Sequence, residues 1–209
     1  VTLTARLYAQ TTVSGRALDT PQWKQFWVEE LSGAGSRPVQ RDIEGKRYYI
    51  YTVSKKALFP LEAGELVIPP MSMQVETGSG LFGRGRSMVL RSDPAVLNAK
   101  ALPAKGQPRT FTLGNVGEWK LEANITPRRL RVGEAATLRL TATGVGNVGQ
   151  LTMPALDQEI EGARLFPPSF NERKTVDAGQ VVGVKVVDAL VQPTKTGVIE
   201  IPAYTLEYF

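Results

Sequence analysis

One motif occurs twice in this 209-residue chain, and its recurrence restricts the possible folds more than any other feature. The first copy reads Ala57-Leu58-Phe59-Pro60-Leu61-Glu62-Ala63-Gly64-Glu65-Leu66-Val67-Ile68-Pro69. The second reads Ala189-Leu190-Val191-Gln192-Pro193-Thr194-Lys195-Thr196-Gly197-Val198-Ile199-Glu200-Ile201-Pro202. Pro60 and Pro193, Gly64 and Gly197, and the pairs Ile68-Pro69 and Ile201-Pro202 all lie 133 positions apart. Self-similarity at one fixed offset implies a duplicated structural unit. In each copy the proline fixes φ at a turn, and the glycine supplies a conformation that other residues avoid. The apolar alternation after the glycine reads as a short strand, which the Ile-Pro pair ends or confines to an edge. Each unit is thus expected to close with a strand, a turn and a final strand, running on to Met71-Ser72-Met73-Gln74-Val75 or Tyr204-Thr205-Leu206-Glu207-Tyr208.

Units of about a hundred residues built from such strands have the size of immunoglobulin-like β-sandwiches. The start of the chain agrees. Val1, Leu3, Ala5 and Leu7 alternate with Thr2, Thr4 and Arg6, the period of a half-buried strand. Residues 136–142 show the same alternation and are preceded by a further candidate strand over residues 119–125. The first unit has no counterpart of that preceding strand, so it is expected to lack its opening strand, leaving a sheet edge for the second unit to cover. Residues 98–110, with two prolines and a glycine, read as the linker, with the boundary near Gly106. The expected architecture is all-β, two tandem sandwiches spanning 1–105 and 106–209. The one helix-like pattern lies in residues 20–31, where Trp23, Phe26, Trp27 and Leu31 fall at helical spacing behind Thr20-Pro21.

Composition removes most catalytic classes. With no cysteine and no histidine the chain has no disulfide, no thiol nucleophile, and neither the commonest general base nor the commonest transition-metal ligand. Its serines sit in ordinary strand or loop contexts without a nucleophile-elbow pattern. The glycine-rich residues 78–86 lack the Gly-Lys-Ser/Thr ending of a phosphate loop and read as a hairpin connection. Glu29 with Glu30, and Asp157 with Glu159 and Glu161, could form an acid/base pair or a calcium site, but read more simply as solvated carboxylates. Asn124-Ile125-Thr126 matches a glycosylation sequon and reads as chance within a strand. The net charge of +5 is spread along the chain rather than gathered in a stripe, which argues against nucleic acid. No stretch has the length and apolarity of a membrane helix, and no signal-peptide core precedes Val1, so the sequence reads as a soluble piece of something larger. No catalytic residue, cofactor or metal site is assigned.

Aromatic and arginine side chains are then the best candidates for contact, since interfaces favour them as anchors. Tyr49 and Tyr51 share one face of an alternating strand, opposite Tyr48 and Ile50, and with Arg84 and Arg86 they form the candidate partner surface. The rival reading is a carbohydrate-binding or adhesive sandwich in which Trp23, Trp27 or Tyr51 stacks on sugars.

The order of these features resembles a known family. Gly114-Asn115-Val116-Gly117-Glu118-Trp119-Lys120-Leu121 is followed by Val132-Gly133-Glu134, the strand at 136–142, Gly144-Val145-Gly146-Asn147, Met153-Pro154-Ala155-Leu156 and the closing Pro193…Gly197…Ile201-Pro202. This succession is similar to the BatD oxygen-tolerance family of bacterial envelope proteins. Residues 3–8, Phe26-Trp27-Val28-Glu29 and Pro60…Gly64…Ile68-Pro69-Pro70 look like the preceding domain of that family, so the resemblance takes in essentially the whole chain. It implies tandem immunoglobulin-like domains in the periplasm, a signal peptide and a membrane anchor outside this sequence, and partners with von Willebrand A-type or tetratricopeptide modules. It brings no catalytic motif.

Overall fold

The computed structural model describes residues 1–19, 21–35, 37–78, 85–156 and 159–209. Contacts divide the chain into two compact units, Val1–Leu102 and Pro103–Phe209. Both are all-β.

The first unit contains β1 (Thr2–Ala9), β2 (Val13–Ala17), β3 (Phe26–Glu30), β4 (Val39–Ile43), β5 (Lys46–Pro60), β6 (Gly64–Ile68), β7 (Ser72–Thr77), β8 (Arg86–Arg91) and β9 (Ala95–Ala99). The long β5 pairs antiparallel with β1 on one side and with β3 and β4 on the other. Strands β6 and β9 form a second, two-stranded sheet, and β2, β7 and β8 a third. Phe26, Leu58, Leu66 and Ile68 make the core, with Leu3, Trp23 and Leu97 packed against it, so the β5 sheet and the β6–β9 sheet are two layers around one interior. Residues 26–30 are strand, not helix. The ends of β3 and β5 pair residue by residue from Phe26↔Pro60 to Glu30↔Lys56, and this ladder outweighs the helical spacing of the aromatics. Nor does the unit close at β7, since β8 and β9 come after it.

The second unit contains β10 (Gly117–Thr126), β11 (Ala136–Gly146), β12 (Ala163–Leu165), β13 (Ser169–Asp177) and β14 (Gln180–Pro193) in a single sheet. Buried positions recur every second residue, at Ala136, Leu138, Leu140 and Ala142 of β11 and at Val187, Ala189 and Val191 of β14. Full burial of each leucine is worth about 1.5–3 kcal/mol. The facing layer consists of extended segments rather than a paired sheet, and it contributes Met153, Leu156, Ile160, Ile199, Ile201 and Tyr204 to the core.

The two units share a pairing scheme. Strand β14 takes β11 on one side and β12 and β13 on the other, as β5 takes β1, β3 and β4. Thr2 pairs with Ala57 and Thr137 with Leu190, while Pro60 faces Phe26 and Pro193 faces Ala163. The next residue continues the match, Leu61 N–H donating to Gln25 O at 3.0 Å and Thr194 N–H to Gly162 O at 2.9 Å. Gly64 and Gly197 then adopt φ of 122° and 121°, in the region that favours glycine. Beyond the turn the copies diverge. Residues 64–68 form β6 against β9, whereas no strand is formed by residues 198–202 or 204–208. A ladder needs a neighbour as well as an alternating pattern, and no described strand lies beside 198–202. The second unit also has β10 alongside β11, at the position the sequence suggested for residues 119–125; in the first unit β1 is the edge strand of its sheet.

Asn115, only 5% exposed, holds the facing layer of the second unit in place. It ends a short 3-10 turn, Leu113–Asn115. Its Oδ1 accepts from Thr152 N–H at 2.7 Å, and its Nδ2 donates to Thr152 O at 3.2 Å and Glu207 O at 2.7 Å. Asn115 O accepts from Phe209 N–H at 3.1 Å, and Phe209 O from Gly117 N–H at 2.9 Å. One side chain thereby substitutes for a missing ladder. Asn115→Ala would leave three backbone groups without their partner and is expected to lower stability by about 2–3 kcal/mol, read from the urea midpoint.

On the outer face of the same sheet Arg139 and Asp188 pair across β11 and β14 through two contacts of 2.7 Å. The hydrogen bond from Arg139 holds the Asp188 carboxyl below its ordinary value of 3.8. A depressed carboxylate pKa stabilises the fold above the unfolded value and loses that contribution as pH falls through the folded one. Asp188→Asn should therefore lower the melting temperature at pH 7 and shrink that difference below about pH 4, measured by thermal melts across pH.

Candidate functional site

The candidate contact residues are divided by a bulge. Strand β1 alternates without a break, so Leu7 and Ala9 share a face with Leu3, which packs on the core. The register with β5 shifts between Ala5 and Arg6, passing from Ala5↔Ser54 to Arg6↔Thr52. One extra residue in β5 reverses its faces. Tyr51 comes opposite Leu7 and Tyr49 opposite Ala9, which puts both rings on the core side of the sheet, half-buried. Tyr51 is engaged within the fold, its hydroxyl accepting from the Val13 N–H of β2 at 3.0 Å. It ties β2 to the β5 sheet and is not an exposed anchor. Tyr48, on the other face, accepts from Gln10 Nε2 at 3.3 Å.

Arg86 begins β8 and is exposed. Arg84 lies outside the described residues. The sequence also did not single out the rest of β8. Met88, Val89 and Leu90 are 40%, 64% and 38% exposed between Arg86 and Arg91 on the edge of the β2–β7–β8 sheet. The apolar triplet does not alternate, so the sequence carries no strand signal there; the flanking arginines are the kind of charge that edge strands carry.

Trp23, Trp27 and Tyr51 do not form a common stacking row. Trp23 meets Phe26 edge-on at 6.4 Å and joins the core, while Trp27, next to buried Phe26 on β3, lies on the opposite face and donates to Glu29 Oε1 at 2.9 Å. Of the candidate carboxylates, Glu30 pairs with Lys56 and Glu161 with Lys195, while Glu29 accepts from Trp27 Nε1. Asp157 lies outside the described residues. Among the described residues no cluster of three or more His, Cys, Asp or Glu could hold a metal ion, and no helix is long and apolar enough to cross a membrane.

The second unit has an open hollow of about 470 Å³ between residues 151–156 and the β13–β14 edge. Its lining is mainly apolar, including Met153, Pro154, Pro168 and Phe170, and among the described residues Lys185 is its one charged side chain. Lys185 donates to Gly149 O at 3.0 Å. Such a lining offers shape and apolar area for contact.

Tyr51→Phe removes the acceptor of the Val13 N–H and should cost about 1 kcal/mol, with faster hydrogen exchange at that amide. Arg86→Ala should change stability by less than about 0.5 kcal/mol in the same denaturation series.

Neither the curated proteins nor the solved structures contain a match to this chain. A family model does match. It covers residues 123–209, from within β10 to Phe209, and leaves residues 1–122 outside it. Its description is the BatD DUF11 like domain, and over this span the second unit carries the resemblance to BatD proteins that the sequence suggested.

Proposed function

We propose that this chain is a non-catalytic scaffold that binds other proteins in a membrane-associated complex of the bacterial envelope linked to oxygen tolerance. The match of residues 123–209 to the BatD DUF11 like domain carries the reading, because a BatD-like domain suggests an aerotolerance-associated envelope protein. The geometry supports a binding role. Both units are strand assemblies whose edges and connections can be presented to partners, and the hollow beside β13 is open and apolar. The setting is periplasmic, with attachment to the membrane through segments outside this sequence. The partners are envelope proteins bearing von Willebrand A-type or tetratricopeptide modules. No cofactor takes part, and specificity comes from shape and a few anchors.

The test is affinity capture from detergent-solubilised envelope membranes, with the 209-residue chain as bait and an unrelated β-sandwich as control. Proteins carrying von Willebrand A-type or tetratricopeptide modules should be enriched over the control. Arg86→Ala should reduce that capture by roughly tenfold, the effect of losing an interface anchor of about 1.4 kcal/mol. Equal recovery on bait and control, or turnover of a substrate by the purified chain, would refute the proposal.

A further inference from the structure

Strand β8 combines three features that rarely coincide on an inert edge. Among the described residues it is the last strand of its sheet, with β7 as its one neighbour. Every one of its six residues is exposed, the apolar centre Met88-Val89-Leu90 included. It is also charged with one sign at both ends. Among the described residues neither Arg86 nor Arg91 has an ion-pair partner, which leaves both charges available to an incoming chain. An edge strand offers unpaired backbone donors and acceptors to any extended chain of fitting side chains.

The charges select the occupant. Two copies of β8 paired antiparallel in register would set Arg86 against Arg91 at both ends, and like charges directly opposite destabilise a sheet. A second copy of this chain is therefore disfavoured. Arg86 and Arg91 are five positions apart and so project to opposite faces of the sheet. An incoming strand with acidic residues at the same separation meets both, because its own first and last side chains also project to opposite faces. We infer that β8 is a docking strand for an extended segment of a partner protein, apolar at its centre and acidic at positions facing Arg86 and Arg91. This assignment deepens the scaffold reading and rests on it, naming the surface and the chemistry of the segment it takes.

The probe is a blocked octapeptide of alternating valine and threonine with two glutamates spaced to face Arg86 and Arg91. A second peptide carries lysine at those positions, and a third carries proline in the centre to prevent pairing. In amide NMR titrations of the 209-residue chain, the glutamate peptide should perturb Ser87, Met88, Val89 and Leu90. The lysine peptide should bind about tenfold more weakly or worse, and the proline peptide not measurably. The double variant Arg86→Glu, Arg91→Glu, checked for an unchanged melting temperature, should reverse the preference and take the lysine peptide. Equal binding of the two charged peptides, absence of binding at millimolar concentration, or perturbation confined to other strands would overturn the assignment. Dimerisation abolished by Val89→Lys would also overturn it, making a second copy the occupant. The scaffold reading fails separately. If envelope partners are captured undiminished by the double variant, β8 is the wrong surface and the scaffold stands. If no partner is captured while the glutamate peptide binds β8 with the stated preference, the docking strand stands and the envelope role falls.

Discussion

A buried amide decides how the second unit keeps its shape. The sheet of β10 to β14 is held by its own ladders, but the layer over it consists of segments that make no ladder. Buried peptide groups without partners cost about as much as lost hydrogen bonds, so such a layer needs another source of donors and acceptors. Asn115 supplies both from one side chain, accepting from Thr152 N–H and donating to the carbonyls of Thr152 and Glu207. Two segments distant in sequence are thereby fixed side by side, and Met153, Ile199, Ile201 and Tyr204 are held where they cover the sheet. The apolar hollow lies between this layer and β13, where Phe170 is 64% exposed.

The long strands β5 and β14 play equivalent parts. Each is paired on both sides, each ends on the proline of the repeated motif, and each passes into a turn closed by a glycine at positive φ. The repeated motif thus marks the place where the chain leaves the main sheet for the facing layer. Past that turn the two units part ways, and the cause is the presence or absence of a neighbouring strand. Leu66 and Ile68 reach the first core as part of β6, while Ile199 and Ile201 reach the second without a ladder.

Much of this was legible wherever a period of two was unbroken. The alternation in residues 1–7, 119–125 and 136–142 reappears as β1, β10 and β11 because one face of each strand is buried. Pattern fails where a long-range partner decides. Trp23, Phe26, Trp27 and Leu31 carry a helical spacing, yet pairing with the end of β5 makes residues 26–30 a strand. Residues 198–202 carry a strand pattern and have no strand beside them. The candidate surface was half visible. Nothing in Ser54-Val53-Thr52 announces a bulge, since no glycine marks it, and that single extra residue turns Tyr49 and Tyr51 from the outer face to the inner. Arg86 could be found as a lone exposed charge, but the adjoining apolar triplet does not alternate and gave no strand signal.

Trp119 rests against three residues that have no side chain. It pairs with Gly144 across β10 and β11, and its ring lies where a Cβ on Gly117, Gly144 or Gly146 would fall, at 3.0, 2.8 and 2.8 Å from its atoms. A Cβ would in addition overlap a backbone carbonyl at each of the three, that of Val145 at Gly117, Glu118 at Gly144 and Val116 at Gly146. The ring therefore depends on the three glycines, whereas the glycines are held by neighbouring backbone as well as by the ring. A methyl group on any of the glycines displaces the ring, and a smaller residue in place of the ring leaves bare backbone with maximal conformational freedom and nothing to pack on it. A change at Trp119 would not release the glycines, because backbone carbonyls exclude a Cβ at all three whatever the ring becomes.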